Sequence, residues 1–154
     1  VLSRCMSLSV VSLASSDIVL DQITGDMIAA TWPHIEPLLQ KGIDKVATEQ
    51  TTAAILAGLA EHRYQLWAVY RKDKPLPLLA AIATYVRQTN KGQVAVIDTI
   101  GGRDLSEWFG AVLDRYIALA KEHGITRIQI DGRPGWARQL TGFRKVRVTM
   151  ERNI

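Results

Sequence analysis

The sequence predicts an α/β domain in which helices flank a mixed, mainly antiparallel, twisted sheet. Two observations predict this class. Residues 94–143 have the pattern of a strand, a Gly-Gly turn, a long amphipathic helix and a second strand, which is a βαβ-like unit. The strands before this unit follow one another through short turns, so antiparallel pairs should flank it. The predicted order of elements is therefore β-α-α-β-β-β-α-β-α-β.

Apolar spacing and turn residues predict the elements before this unit. In chain order they are a strand over residues 17–24, helices over 27–40 and 49–61, and strands over 64–71 and 76–88. Proline lacks an amide hydrogen, so Pro33 and Pro37 should begin the first helix or divide it into two short helices. Thr48 is a suitable N-cap for the second helix.

The central unit begins with a buried strand and continues through glycines. Its predicted elements are a strand over 93–100, a turn at Gly101 and Gly102, a long helix, a strand over 126–131, a short helix before Gly142 and a final strand over 144–151. Asp104 or Ser106 is expected to cap the long helix, which Gly124 should end. A helix N-terminus preceded by glycines offers backbone N–H groups to an anion.

Length and composition indicate one globular domain of 154 residues, with 47% hydrophobic and 22% charged residues. The single cysteine, Cys5, excludes an internal disulfide and an all-cysteine metal site. The three histidines show no metal-ligand spacing, so no metal site is expected. The net charge of +4 supports a nucleic-acid partner only weakly, and the basic residues of the final strand are interpreted as its solvated outer face.

The first sixteen residues differ from the remainder of the chain. Residues 1–16 are predicted to be an N-terminal arm, and residues 17–154 the folded domain. Serines dilute the apolar content of the arm, so it has neither the pattern of a signal peptide nor the length of a membrane span. Four apolar residues of the arm and one later basic residue are expected to contact a partner protein: Leu8, Val10, Val11, Leu13 and Arg133.

The element order and several local stretches together resemble the GNAT (acetyl-CoA-dependent N-acetyltransferase) superfamily over about residues 17–153. The stretches are the helix around residues 32–39, the glycines before the long helix, its Ala-Lys-Glu-His-Gly-Ile ending, and the closing helix before Gly142 and Phe143. The sequences Gln-Leu-Trp-Ala-Val at 65–69 and Gly-Arg-Pro-Gly-Trp-Ala-Arg at 132–138 also look like those of small GNAT-like proteins of tailed bacteriophages and prophages.

The resemblance implies a coenzyme site before the long helix. In family members that bind acetyl-CoA, the backbone N–H groups of a glycine-rich turn surround the pyrophosphate. The matching residues in this sequence are Gly101, Gly102 and Arg103, although they lack the family spacing. Asp104 adds a carboxylate beside the expected diphosphate, and Arg103 can offset its charge.

The resemblance also implies an acid and a base. A base that deprotonates the amine often lies on the fourth strand, where Asp98 is the only carboxylate; Asp98 can equally be a strand-end residue bonded to a turn amide. The usual acid of the family is a tyrosine shortly before a Gly-Phe pair, and residues 138–141 contain no tyrosine. Tyr64, Tyr85 and Tyr116 are interpreted as core aromatics with their hydroxyls at the rim.

Two interpretations of this resemblance stay open. The altered phosphate turn, the absent tyrosine and the apolar arm favour a non-catalytic structural or assembly component of a bacteriophage virion, without a cofactor. Its partners would be other virion or assembly proteins in an oligomer, and its location the virion or the host cytoplasm rather than the outside of the cell. The alternative is an acetyl-CoA-dependent N-acetyltransferase in which Asp98 is the base and the residues around Gly101 hold the diphosphate.

Overall fold

A computed structural model describes residues 11–12, 17–46, 49–132, 138 and 140–154. The strands of this part of the chain form one sheet in sequence order: β1 (Val11–Ser12), β2 (Ile18–Ile23), β3 (Gln65–Arg71), β4 (Ala80–Thr89), β5 (Gly92–Gly102) and β6 (Arg127–Ile130). Neighbours from β1 to β5 are antiparallel, whereas β6 runs parallel to β5. The predicted fold class, a mixed and mainly antiparallel sheet with flanking helices, is confirmed.

Helices cover both faces of the sheet because side chains alternate between its faces. Helix α1 (Asp26–Asp44) and helix α2 (Thr52–Ala60) pack on one face, and helix α3 (Leu105–Glu122) packs on the other. Each face therefore buries its own apolar core, one with Leu66 and Ala83 and the other with Trp67 and Ile82. No helix within the described ranges is long and apolar enough to cross a membrane.

The two prolines do not divide the first helix, so that prediction is wrong. Helix α1 continues through Pro33 and Pro37. Each proline removes one hydrogen bond to the carbonyl four residues earlier, which belongs to Ala29 or to Pro33. Ala29 and both prolines lie on the exposed face, so water can bond the released carbonyls. Ile35 and Leu39, on the opposite face, are fully buried and hold the helix to the sheet.

The second helix begins later than predicted. Its N-cap is Thr51, whose side-chain oxygen accepts a hydrogen bond of 3.0 Å from the Ala54 N–H. Thr48, the expected cap, lies outside the described residues. Glu49 and Gln50 are non-helical, and the Gln50 side chain extends to Asp98 of the sheet.

The predicted Gly-Gly turn is also wrong, because Gly101 and Gly102 belong to strand β5 and pair with Ala81 and Ala80. Glycine is needed at position 101 for close packing. A Cβ atom there would lie 1.6 Å from the Leu38 carbonyl oxygen of α1. The small residues let helix and strand approach backbone to backbone, and the turn that follows shrinks to two residues.

The final strand predicted over residues 144–151 does not form. The described residues beyond 140 pair with no strand, and Val146, Val148 and Met150 are 59%, 63% and 88% exposed. An alternating pattern specifies the two faces of a strand but supplies no partner for its backbone groups. Arg147 forms an ion pair of 3.6 Å with Asp131. The predicted helix before Gly142 falls mostly on residues outside the described ranges.

Candidate functional site

Strands β5 and β6, the last two strands of the described sheet, separate after a short pairing. Their parallel pairing joins Val94–Ile97 to Arg127–Ile130, and the last link is the 3.0 Å bond from the Asp131 N–H to the Ile97 carbonyl. Strand β6 ends there, whereas β5 continues to Gly102. Beyond Ile97, no strand of the described residues pairs with this edge of β5, and the opening beside it is called the gap below.

A β-bulge lies where this gap opens. Ile97 pairs with Thr84 and Thr99 pairs with Ala83, so Asp98 is an additional residue without a partner on β4. A bulge of this kind directs two successive side chains towards one face. Asp98 and Thr99 accordingly both point towards the face that carries α1 and α2, at the mouth of the gap.

Two donors hold the Asp98 carboxylate. Its Oδ2 atom accepts hydrogen bonds of 2.9 Å from Gln50 Nε2 and of 2.9 Å from Thr99 Oγ1. The residue is half-buried and lies on the strand predicted to carry a base. The structure therefore fixes Asp98 through side-chain donors, rather than through the turn amide considered from the sequence.

Gln50 links Asp98 to Tyr64. Its Nε2 atom also lies 3.1 Å from the Tyr64 hydroxyl, and its Oε1 atom accepts a 3.0 Å bond from the Thr51 N–H. A backbone N–H can only donate and a carboxylate can only accept, so these two partners fix the orientation of the amide. No sequence pattern identifies Gln50, because it is 48 residues from Asp98 and 14 from Tyr64 and no motif spans such distances.

The Tyr64 ring lies on Gly58 of α2, where a Cβ atom would be 2.1 Å from the ring. It meets the Tyr85 ring edge to face, with centroids 5.6 Å apart. The two rings line a groove of about 420 Å³ with four other residues: His62, Arg63, Gln65 and Val86. These tyrosines were predicted as core aromatics with hydroxyls at the rim, and both are half-buried.

Both groove tyrosines hold their protons more tightly than an exposed phenol. Burial raises the pKa of Tyr64, and the negative charge of Asp98 raises it further, while the bond from Gln50 opposes the rise. Burial also raises the pKa of Tyr85, together with the charges of Asp131 and Asp98. The polar cluster therefore contains the Asp98 carboxylate and two neutral phenols, those of Tyr64 and Tyr85.

The residues predicted to hold a diphosphate lie at the far end of β5. Gly101 and Gly102 pack against α1 and β4, as described above. Arg103 is exposed, and its Nη2 donates to the Pro77 carbonyl at 3.2 Å. Asp104 is the N-cap residue of α3 in a left-handed conformation (φ 53°), and its side chain makes no capping bond. The first-turn N–H groups of Leu105 and Ser106 thus receive no cap from Asp104.

The predicted partner-binding residues mostly fall outside the described part of the chain. This holds for Leu8, Val10, Leu13 and Arg133. Val11 lies in β1, where it pairs with Leu20 and so extends the sheet. Among the residues that the structure describes, no three His, Cys, Asp or Glu side chains are grouped to hold a metal ion.

Comparison with solved structures identifies the fold. The chain is similar to a predicted acetyltransferase from Clostridium acetobutylicum solved with acetyl-CoA, with 18% identity, a TM-score of 0.56, and 87% of this chain and 96% of that chain covered. It is similar to a ribosomal-protein-alanine N-acetyltransferase from Brucella melitensis biovar Abortus 2308, with 12% identity, a TM-score of 0.62, and 88% and 99% covered. It also matches a GNAT family acetyltransferase from Staphylococcus aureus, with 9% identity, a TM-score of 0.59, and 89% and 98% covered. No family model and no curated protein matches the sequence.

These similarities correct the function favoured by the sequence. A structural component of a virion was the preferred interpretation, but the solved structures that share the fold include several acetyltransferases, and nothing in the comparison supports a virion role. The alternative considered from the sequence fits them better. The chain has the fold of the GNAT acetyltransferases.

Proposed function

We propose that this chain is an N-acetyltransferase that uses acetyl-CoA to acetylate an amine. The observation that carries the proposal is the bulge at Asp98, which directs a held carboxylate into the mouth of the gap between β5 and β6. The groove lined by Tyr64, which Gln50 links to Asp98, offers room for an acceptor. The fold shared with acetyltransferases, one of them solved with acetyl-CoA, supports the same chemistry.

The residues around the gap fit the coenzyme. The Arg103 N–H bonds the Leu79 carbonyl, so alternation along the antiparallel ladder turns the backbone groups of Ile100 and Gly102 away from β4 and towards the gap. These groups are suited to the amide-bearing arm of the coenzyme. The first-turn N–H groups of α3, which Asp104 leaves uncapped, are suited to its diphosphate. When bound, acetyl-CoA would supply an acetyl carbonyl activated as a thioester.

Asp98 acts as the base in this proposal. A base must lie within hydrogen-bond reach of the proton that it removes. Gln50 and Thr99 both bond the Oδ2 atom, and the same carboxylate has a second oxygen, Oδ1, that can accept a proton from an amine. Asp98 accepts one proton from that amine, which frees the nitrogen lone pair to attack the acetyl carbon. The half-buried surroundings limit competition from water.

Binding and activity can be tested separately. Acetyl-CoA at a hundredfold its dissociation constant should add about 2.7 kcal/mol to the free energy of unfolding. This gain should raise the melting temperature by about 5–10 °C for a domain of this size. Asp98→Asn should keep that shift and lower kcat by about 10²–10⁴ with any amine that the wild type acetylates. The measurements are thermal unfolding and thiol release from acetyl-CoA.

Asp114→Asn is the matched control, because Asp114 is an exposed carboxylate on α3, which packs on the other face of the sheet. It should leave both the thermal shift and the rate unchanged. Absence of a thermal shift at millimolar acetyl-CoA would refute the proposal. Normal turnover by Asp98→Asn would refute the role of Asp98 alone.

A further inference from the structure

We infer that the acceptor carries an anionic group, a carboxylate or a phosphate, and that Arg87 binds this group while Asp98 binds the amine. The inference rests on the proposed function and deepens it, because it names the class of substrate. Its evidence is two arginines, Arg87 of β4 and Arg127 of β6, on the sheet face towards which Asp98 points. They are called the arginine pair below.

The arginine pair lies on either side of Val94. This residue of β5 pairs with Arg87 on one side and with Arg127 on the other. Directly paired residues point to the same face of a sheet, so the two arginines share the face of Val94. Val94 is fully buried, which fits coverage by the aliphatic stems of its two neighbours.

The Arg87 guanidinium extends towards Asp98. Its Nη2 donates a 2.5 Å hydrogen bond to the side-chain oxygen of Gln129. Gln129 pairs with Val96, which is two residues nearer to Asp98 than Val94 is. The remaining two residues of β5 span about 7 Å, and Gln129 lies one strand to the side, so the guanidinium and the Asp98 carboxylate are roughly 7–10 Å apart.

The charge of the arginine pair is not matched by a carboxylate. Neither guanidinium forms an ion pair with a described residue, and their hydrogen bonds go to neutral oxygens of Gln129 and Thr89. Arg87 is half-buried, and its Nε is buried and donates to no described residue. Asp131, which follows β6, pairs instead with Arg147 at 3.6 Å. A buried donor without an acceptor costs free energy, and an anion would remove that cost.

Tyr85 connects Arg87 to the groove. Its side chain lines the groove, and it lies two residues before Arg87 on the same strand, so both side chains point to the same face. Burial raises the pKa of Tyr85, and the charge of Asp98 is among the causes that raise it further. The charge of Arg87 lowers the pKa of the same hydroxyl, so both charged groups act on this one side chain.

These positions describe an acceptor with opposite charges at its two ends. An amine at Asp98 and an oxyanion at Arg87 would each form a charge-assisted hydrogen bond, and the two bonds together would orient the acceptor in one direction. An extended chain spans about 1.2 Å per bond, so about six bonds between the amine nitrogen and the anionic centre fit the separation. The same charges disfavour an acceptor with a second amine in place of the anion.

The test compares matched amines in the thiol-release assay with acetyl-CoA and the full chain. One pair is 6-aminohexanoate and hexylamine, and the other is 4-aminobutyl phosphate and 4-aminobutanol. The wild type should show a kcat/KM about 10–100-fold higher for the anionic member of at least one pair, mainly through a lower KM. The pair with the larger ratio identifies the anion as a carboxylate or a phosphate. Equal values within both pairs would overturn the inference and leave the proposed function intact.

Substitution locates the source of the preference. Arg87→Gln should reduce the ratio within each pair to less than about threefold, because the variant loses the charged donor. Arg71→Gln is the matched control, since Arg71 already pairs with Glu107 of α3, and it should keep the full ratio. A ratio that survived in Arg87→Gln would overturn the role of Arg87. The comparison of amines with the wild type needs no variant to fold.

Binding separates the inference from the proposed function. Titration calorimetry without acetyl-CoA should show that the anionic amine of the preferred pair binds about 10–100-fold more tightly than its neutral partner, and that Arg87→Gln loses this difference. If this held while no amine was acetylated, the proposed function would fail and the anion site would stand. Equal or undetectable binding of all four amines, together with no acetylation, would overturn both.

Discussion

Replacement of Gly101 by alanine tests the contact between α1 and β5. The new Cβ atom would lie 1.6 Å from the Leu38 carbonyl oxygen and 3.0 Å from the Gly42 N atom. Ordinary non-bonded contacts need about 3.5 Å, so the helix backbone must move away by about 2 Å. Both obstacles are backbone atoms, and no change of rotamer can relieve the overlap.

The expected cost follows from this overlap. Overpacking of a core usually lowers the free energy of unfolding by about 1–3 kcal/mol. A rigid backbone obstacle favours the upper end of that range, so we expect a loss of about 3 kcal/mol for Gly101→Ala. For a domain of this size the melting temperature should fall by about 6–12 °C.

Urea unfolding measured by circular dichroism gives the difference, because the slope with denaturant should stay the same while the midpoint falls. Gly110→Ala is the matched control. Gly110 is exposed in α3, and a Cβ atom there would have no neighbour within 4 Å. Alanine should therefore stabilise that helix by about 0.5–1 kcal/mol. If Gly101→Ala unfolded within about 0.5 kcal/mol of the wild type, the backbone contact with α1 would be refuted.

Two further substitutions test the site and the core. Gly58→Ala should lower the rate of thiol release from acetyl-CoA, because its Cβ atom would lie 2.1 Å from the Tyr64 ring and displace that ring from the groove. An unchanged rate would show that the ring position does not matter. Tyr116 is buried, and burial raises its pKa to about 12. The unfolded phenol ionises near pH 10, so the wild type should lose up to about 2–3 kcal/mol of stability between pH 10 and pH 12, whereas Tyr116→Phe should not. Unfolding midpoints measured at both pH values check this, and identical pH dependence in the two proteins would contradict it.

Local sequence patterns predicted most of the fold, because each successful element carries its own signal. Strand β3 and helix α3 have apolar residues at the spacing of their structure, and Gly124 ends the helix with a positive φ as expected. The failures concern partners in space. Gly101 indicates a position without room for a side chain, but the sequence does not identify α1 as the element that packs there. Residues 144–151 alternate without a strand to pair with.

The site was predicted in part for the same reason. Asp98 was found because it is the only carboxylate on its strand. Gln50 and Tyr64 approach it from the segment between α1 and β3, which only the folded chain brings to β5. The spacing of Gln50, Tyr64 and Asp98 along the chain does not predict that they come together. The pattern around Tyr64 fits an ordinary aromatic residue at the start of a strand.

The additional residue in β5 bears on how such a site is acquired. If the chain lost Thr99, Asp98 would move opposite Ala83, while Ile97, Ile100 and Gly101 would keep their present sides. The packing of β5 is therefore the same with or without the additional residue. The Asp98 carboxylate, in contrast, needs that residue for its position in the bulge and for the hydrogen bond from Thr99. Insertion or deletion of one residue in β5 can therefore place or remove this carboxylate without changing which side chains pack against the helices on either face of the sheet.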